Sequence, residues 1–375
     1  MTCESIVHRQ STPRVTEGIN RRSLGLAGVA TLVATLARPA GAQESPPTPD
    51  NLERELPSPR QVPAACAELP ALPMAQPAGV SERLFPGFRV EEVQTSGAII
   101  HVLSKGSAPP LLLIHGHPFT HVTWQKVAPA LTDSYTVIAP DLRGYGDSSK
   151  PPYSPRSQDY SFRAMAQDMV EVMAHFGHKQ FMVGGHDRGA RVVHRMMLNH
   201  PDAVIKGAVL DIVPTLTMYN DTSKEVATKY LWWFLQIQPA PMPEHLISLD
   251  PGYYLRDHIA VQNKTPGSVT PEAMAEYIRC YCWEGTIRAV CEDYRAAAGI
   301  DLDQDRADDK AGVKIRAPLL ALWGAKGTVG ELWDVLATWR PKTQAALEGQ
   351  ALPCGHDLPE EQPGEVISQF RRFFT

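Results

Sequence analysis

One short run carries the strongest chemical signal in the chain. Val183-Gly184-Gly185-His186-Asp187-Arg188-Gly189 closes an apolar stretch and opens a helical one, and its centre reads Gly-x-Asp-x-Gly. That pattern marks a sharp strand-to-helix turn, in which small residues permit a strained backbone that lifts one side chain above a sheet. Serine at the apex would suit acyl transfer. Aspartate is a poor attacker of esters, but it can displace a leaving group from carbon by in-line attack and become an ester itself.

Such a nucleophile needs a base to hydrolyse the ester, an acid to orient the base, and donors for developing charge. The chain has 13 histidines, and a lone one is more often a surface residue. His356 stands out because it lies in Gly355-His356-Asp357 after the last expected strand, and the chain order Asp…Asp…His suits an elbow of this type. The acid often follows the strand at Leu319–Trp323, yet that loop, Gly324-Ala-Lys-Gly-Thr-Val-Gly330, holds none. Asp211, one strand earlier, fills the vacancy; its alternative role is a helix or turn cap. Backbone N–H groups of Arg188 and His117 are the expected charge donors. The His117 side chain is also a candidate pocket contact, whereas His115 reads as a structural loop residue. Arg188 follows the nucleophile directly and Arg191 lies one helical turn beyond it, so paired guanidiniums can grip a small carboxylate. The competing reading gives one of them to a salt bridge behind the sheet.

The elements that would position these groups alternate from about residue 83. Strands are expected at Leu111–Ile114, Tyr135–Ala139, Phe181–Val183, Ala208–Leu210, Leu319–Trp323 and Gln344–Leu347. Helices are expected at Phe162–Phe176, Arg191–Leu198, Leu332–Trp339 and Glu365–Phe374. This is an α/β pattern: a mainly parallel sheet flanked by helices. Between 214 and 300 the alternation lapses into helical, aromatic, Pro-punctuated sequence. The expected layout is therefore a core of 83–213 and 301–375 with an inserted helical cap at 214–300, across the sheet edge where open α/β sheets bind ligands.

The 375-residue chain carries a net charge of −5, and nothing basic or repetitive suggests nucleic acid. Asn20-Arg21-Arg22-Ser23-Leu24 precedes a mildly apolar run and Ala40-Gly41-Ala42, which reads as a twin-arginine signal over 1–42 and implies a periplasmic protein. An uncleaved anchor or a misassigned start are the alternatives. Residues 43–82, rich in Pro and Ala, read as a disordered linker. No stable membrane insertion is expected after processing, and a homodimer is left open. Of six cysteines, Cys3 would leave with the signal. The odd number remaining (Cys66, Cys280, Cys282, Cys291, Cys354) argues for buried free thiols over a disulfide framework, and no spacing suits a zinc site.

Taken together, the residues resemble the haloacetate (fluoroacetate) dehalogenase family of α/β-hydrolases. The resemblance spans nearly all of the domain through His115-Gly-His-Pro-Phe-Thr-His-Val-Thr-Trp124, Asp141-Leu-Arg-Gly-Tyr-Gly-Asp-Ser-Ser149, Gly185-His-Asp-Arg-Gly-Ala-Arg191, Leu210-Asp-Ile-Val-Pro-Thr215, Trp232-Trp-Phe-Leu-Gln-Ile-Gln-Pro239, Cys291-Glu-Asp-Tyr-Arg-Ala296 and Trp323-Gly-Ala-Lys-Gly327. It implies an α/β-hydrolase fold, a nucleophile at Asp187, a His356–Asp211 relay, a substrate carboxylate held by Arg188 and Arg191, and halide held at Trp232, Trp233 and Tyr294. Two positions depart. Fluoroacetate-cleaving members usually have histidine where Trp232 stands and commonly phenylalanine where His117 stands. A second indole adds bulk and offers one N–H, a change suited to chloride or bromide, or to a reshaped pocket.

The leading expectation is thus a hydrolase acting on carbon–halide bonds of small 2-halo acids, with no cofactor or metal. The alternative is an epoxide hydrolase using the same Asp-His-Asp set with cap tyrosines, Tyr294 and one of Tyr230, Tyr253, Tyr254 or Tyr277, aimed at the epoxide oxygen. A non-catalytic binding protein is a third reading, disfavoured by the intact set.

Overall fold

A computed structural model describes residues 83–375; the expected signal (1–42) and linker (43–82) lie outside the described residues. Eight strands form one sheet in the order β1-β2-β4-β3-β5-β6-β7-β8. They are β1 (Arg89–Gln94), β2 (Ile99–Lys105), β3 (Pro110–Ile114), β4 (Thr136–Pro140), β5 (Phe181–His186), β6 (Val204–Leu210), β7 (Leu319–Gly324) and β8 (Leu347–Leu352). β2 runs antiparallel to both β1 and β4, and the remaining pairings are parallel. The chain has the α/β-hydrolase fold.

The central strands read as unbroken apolar runs because helices cover both faces. Every residue of β5 is buried. The exposed-edge hairpin β1–β2 escapes that signal: its alternation is interrupted by Glu91, Glu92 and His101, so no strand was expected there. β8 begins at Leu347, not Gln344, since Thr343-Gln344 is spent on an isolated bridge to Ile315.

On the faces lie α1 (Ala128–Leu131), α2 (Phe162–His175) and α3 (Arg188–Asn199). Ser161 caps α2 by accepting from the Ala164 N–H at 3.2 Å, and Met165, Met169, Val172 and Met173 form its buried face. α3 starts at Arg188, one turn before the expected Arg191, because the elbow itself is the helix start.

Eight helices separate β6 from β7: α4 (Thr215–Asn220), α5 (Lys224–Lys229), α6 (Leu231–Gln236), α7 (Met242–Ser248), α8 (Pro251–Gln262), α9 (Pro271–Tyr281), α10 (Thr286–Ala298) and α11 (Ile300–Ala311). α11 is tied to α2 through Asp301, which accepts from the Phe162 N–H. The expected helix Leu332–Trp339 is two, α12 (Thr328–Leu332) and α13 (Val335–Trp339). Asp334 caps Ala337 at 3.0 Å and Trp333 turns extended between them. After β8 come α14 (Leu358–Glu361) and α15 (Pro363–Phe374).

The thiol expectation needs correction at one position. Cys280, Cys291 and Cys354 are free and buried, but Cys282 is disulfide-bonded. An odd count excludes full pairing; it never excluded a single bridge. No helix among the described residues is long and apolar enough to cross a membrane.

Candidate active site

The elbow is built by close packing. A Cβ added at Gly185 would sit 2.5 Å from the Gly189 carbonyl oxygen, and one at Gly189 would sit 2.3 Å from the His115 carbonyl oxygen. Only glycine lets β3, β5 and α3 approach this closely. Asp187 between them takes φ 49°, ψ −116°, a conformation that costs a non-glycine residue about 1–3 kcal/mol and marks positions under functional constraint. Its Oδ1 accepts from the His117 N–H at 2.9 Å.

His356 lies on the other side of the same carboxylate, its Nε2 3.6 Å from Asp187 Oδ2. Its Nδ1 is 2.6 Å from Asp211 Oδ2. Asp211, at the end of β6, also has positive φ, 52°. Its Oδ1 accepts from the Gly324 N–H at 2.8 Å, so the acid-free loop after β7 contributes a backbone donor to the acid one strand away. The histidine's main chain is fixed twice. Its N–H donates to the Gln262 carbonyl at 3.2 Å, and its carbonyl accepts from His186 Nε2 at 2.7 Å. Burial drives the His186 pKa down to about 3, leaving a neutral ring that donates from Nε2. His186 is thus a residue that sequence reasoning passed over, although it adjoins the nucleophile.

Charge is distributed to keep Asp187 ionised. Burial works to raise its carboxyl, but the hydrogen bond and charge of His356 outweigh burial and hold it well below the ordinary carboxylate range. Burial likewise opposes the imidazolium, yet the bonds to Asp187 and Asp211 raise His356 well above 6.5. The resting proton therefore sits on His356 between two carboxylates. Burial pushes Asp211 upward against that attraction.

The two arginines are buried and each is partly spent on its own support. Arg188 makes a forked pair with Asp293 through Nε (2.9 Å) and Nη2, under the ring of Tyr294 at 4.1 Å. Arg191 Nη1 donates to the Val213 carbonyl at 3.1 Å and Thr215 Oγ1 at 3.0 Å, with the Trp233 ring 4.6 Å away. Arg188 is thus in a buried salt bridge with Asp293, while Arg188 Nη1 and Arg191 Nε are buried with no hydrogen-bond partner. Asp293 is a site residue that sequence reasoning missed; Tyr145 donates to its Oδ2 at 2.6 Å.

From the cap side, Tyr294 and Tyr281 bracket the His117 ring, with oxygens 3.3 and 3.4 Å from Nδ1 and Nε2. Burial holds His117 well below 6.5, so the ring is neutral. His115 is a loop support: it pairs with the Gly116 carbonyl through Nδ1 at 2.9 Å and accepts from the Leu142 N–H through Nε2 at 3.0 Å. Trp233 is buried against Tyr294, ring centres 5.7 Å apart. Trp232 is half-buried and packs on His258 at 4.3 Å, beside a cavity of about 180 Å³ that reaches Asp211 and His356. His258 was missed, since a single histidine on an amphipathic helix has no sequence signature. Its ring lies 4.7 Å from that of His117 and its Nδ1 has no partner. Tyr277 and Tyr230 are buried as well and Tyr254 is half-buried, whereas Tyr253 is exposed and cannot serve the site; Tyr277 spends its hydroxyl on Glu360 at 2.8 Å.

Candidate metal ligands converge at His101/His121/Asp141, His186/His356/Asp357 and Asp147/Glu276/Cys280. In two of these groups a carboxylate is already paired, Asp141 with His121 and Asp147 with Arg279.

Known proteins place this architecture. Residues 109–240 match the family model for the alpha/beta hydrolase fold. Fluoroacetate dehalogenase of Burkholderia sp is 38% identical over 293 residues, 78% of this chain and 95% of its own length. Soluble epoxide hydrolase of Corynebacterium sp. (strain C12) is 34% identical, covering 76% and 96%. A solved protein of Nostoc sp PCC 7120, assigned as an alpha/beta hydrolase, superposes with a TM-score of 0.75 at 52% identity, covering 77% of this chain and 98% of its own. The chain belongs to the α/β-hydrolase family and is a hydrolase. Within that family its kinship is with the haloacetate dehalogenase-like members, and the similarity extends to epoxide hydrolases.

Proposed function

We propose that the protein is a hydrolytic dehalogenase of small 2-halo carboxylic acids. The observation that carries this reading is the pair of unpartnered donors, Arg188 Nη1 and Arg191 Nε, buried next to an ionised aspartate. A buried guanidinium N–H without an acceptor is costly, and a substrate carboxylate supplies one to each. With the acid end fixed there, Asp187 attacks C2, the C2–halogen bond breaks, and halide leaves toward Trp232, Trp233 and Tyr294. Esterification removes one of the two anions that hold the proton on His356. Its basicity falls, the proton is released, and the neutral imidazole takes a proton from water attacking the Asp187 Cγ. The ester Cγ–O bond breaks, His356 gives the proton it took from water to the departing oxygen, and a 2-hydroxy acid leaves with the original Asp187 oxygen. Asp211 keeps the imidazole oriented throughout. The residues do this without a cofactor, and export by the residue 20–42 segment would place it in the periplasm.

One turnover of chloroacetate in heavy-oxygen water tests the scheme: the label is expected in the Asp187 carboxylate, and label found only in glycolate ends the covalent reading. Epoxide hydrolysis is the second reading. It is favoured by the buried, unpartnered hydroxyl of Tyr254 and by Tyr294, whose oxygen stands beside His117. Assay of chloroacetate and styrene oxide side by side separates the two.

A further inference from the structure

We infer that the cavity beside His356 is an anion passage through the cap–core seam, with Lys264 and Lys326 at its mouth and Lys229 as a clasp. The inference rests on the carboxylate-substrate reading for its cargo, small organic acids inward and halide outward. Four observations carry it. The cavity of about 180 Å³ is lined by Asp211, His356 and Trp232, so it reaches the histidine whose Nε2 lies 3.6 Å from Asp187 Oδ2. Its walls come from both parts of the chain: Lys229, Tyr230 and Gln262 from the helices between β6 and β7, and Lys326 and Thr328 from the segment after β7. Three lysines line it against one exposed acid, Glu331. A narrow opening lined by one sign of charge concentrates ions of the opposite sign and raises their rate of entry.

The clasp follows from the pairing. Lys229 binds Glu331 across the seam, and Glu225 lies 3.9 Å from the same Nζ. Both partners of the bridging pair are substantially exposed, 33% and 44%, and exposed pairs hold weakly. The seam at this point can part at little cost, whereas the buried Arg188–Asp293 fork ties α3 firmly to α10. Lys264 and Lys326 make no ion pair among the described residues, Lys264 Nζ donating to the Val261 carbonyl at 2.6 Å. Their charge is therefore left to act on a passing anion.

The test uses Trp232 as a reporter inside the passage. Quenching of its fluorescence, read as the difference from Trp232→Phe, is measured with iodide and with neutral acrylamide at constant ionic strength. For Lys264→Gln/Lys326→Gln the expected result is an iodide quenching constant lowered about threefold to tenfold, with acrylamide quenching unchanged. The kinetic arm expects kcat/KM for chloroacetate to fall by a similar factor at low ionic strength, kcat holding steady, and the difference to vanish near molar salt. Equal iodide quenching in wild type and variant overturns the passage. Should no haloacid be turned over at all, the dehalogenase reading fails, while the quenching arm still decides whether anions enter here.

Discussion

The core half and the cap half of the site are held in opposite ways. On the core side, Asp187, Asp211 and His356 have partners on both sides, and two of the three sit in strained backbone fixed by neighbouring glycines and strands. On the cap side, His258 Nδ1, Tyr254 Oη and both side-chain atoms of Gln236 are buried without partners. Strain with full satisfaction is what preorganised chemistry looks like. Satisfaction deferred is what a specificity surface looks like, since the missing acceptors and donors must come with a ligand.

The largest effect expected falls on the core half. Asp187→Asn should lower halide release by at least about 10⁴-fold, the scale seen when a nucleophile is removed from a triad. His356→Gln should release one halide per protein molecule and stop, leaving Asp187 heavier by the substrate's carboxyalkyl group in intact-mass spectra. Steady turnover in that variant would mean that another group activates water.

Next in size is the joint between halves. Asp293→Ala strips Arg188 of its forked partner and leaves a buried cation uncompensated, a change worth about 3–5 kcal/mol. Denaturant unfolding should register that loss, and KM for haloacids should rise because Arg188 is no longer aimed. An unaltered midpoint would remove Asp293 from its supporting role. A smaller effect is expected at the cap. His258→Phe keeps the ring packing on Trp232 but deletes the imidazole nitrogens, and about a tenfold shift in the ratio of chloroacetate to bromoacetate turnover follows if a ligand atom meets them. Burial lowers the His258 pKa to about 3, so this ratio should be flat between pH 6 and 8.

Most of the core half was legible in the sequence. The elbow, His356 and Asp211 are each announced by position after an apolar run, because in a parallel sheet catalytic groups must stand at strand ends. Asp211 was expected by elimination, and it stands 2.6 Å from His356 Nδ1; the Gly324 N–H that steadies it is a backbone donor no sequence displays. The strand β8 slipped by three residues since Thr343 and Gln344 look as extended as Leu347. The cap resisted reading for a different reason: His258, Tyr281 and Asp293 meet only through tertiary packing of short helices, and helical periodicity shows which face is buried but not against what. The break at Asp334, which caps Ala337, lies inside an apolar pattern that reads as one helix from Leu332 to Trp339.

The most delicate test concerns the proton shared across the core half. His356 is raised above its unfolded value by Asp187 and Asp211, so its contribution to stability is complete below about pH 6.5. That contribution is lost as pH rises through the higher folded value. Asp187 is depressed, so its own contribution is present above the ordinary carboxylate range and is lost as pH falls through its folded value. Between these limits the coupling between Asp187 and His356, read from unfolding of Asp187→Asn, His356→Gln and the double variant, should be favourable, and it should shrink beyond either limit. In Asp187→Asn the His356 imidazole signals should titrate at lower pH than in the wild type, since one anion is gone. That same downward move is what esterification must produce for His356 to become a base, so an unshifted imidazole in the variant would break the link between the resting charge pattern and the second half of the reaction.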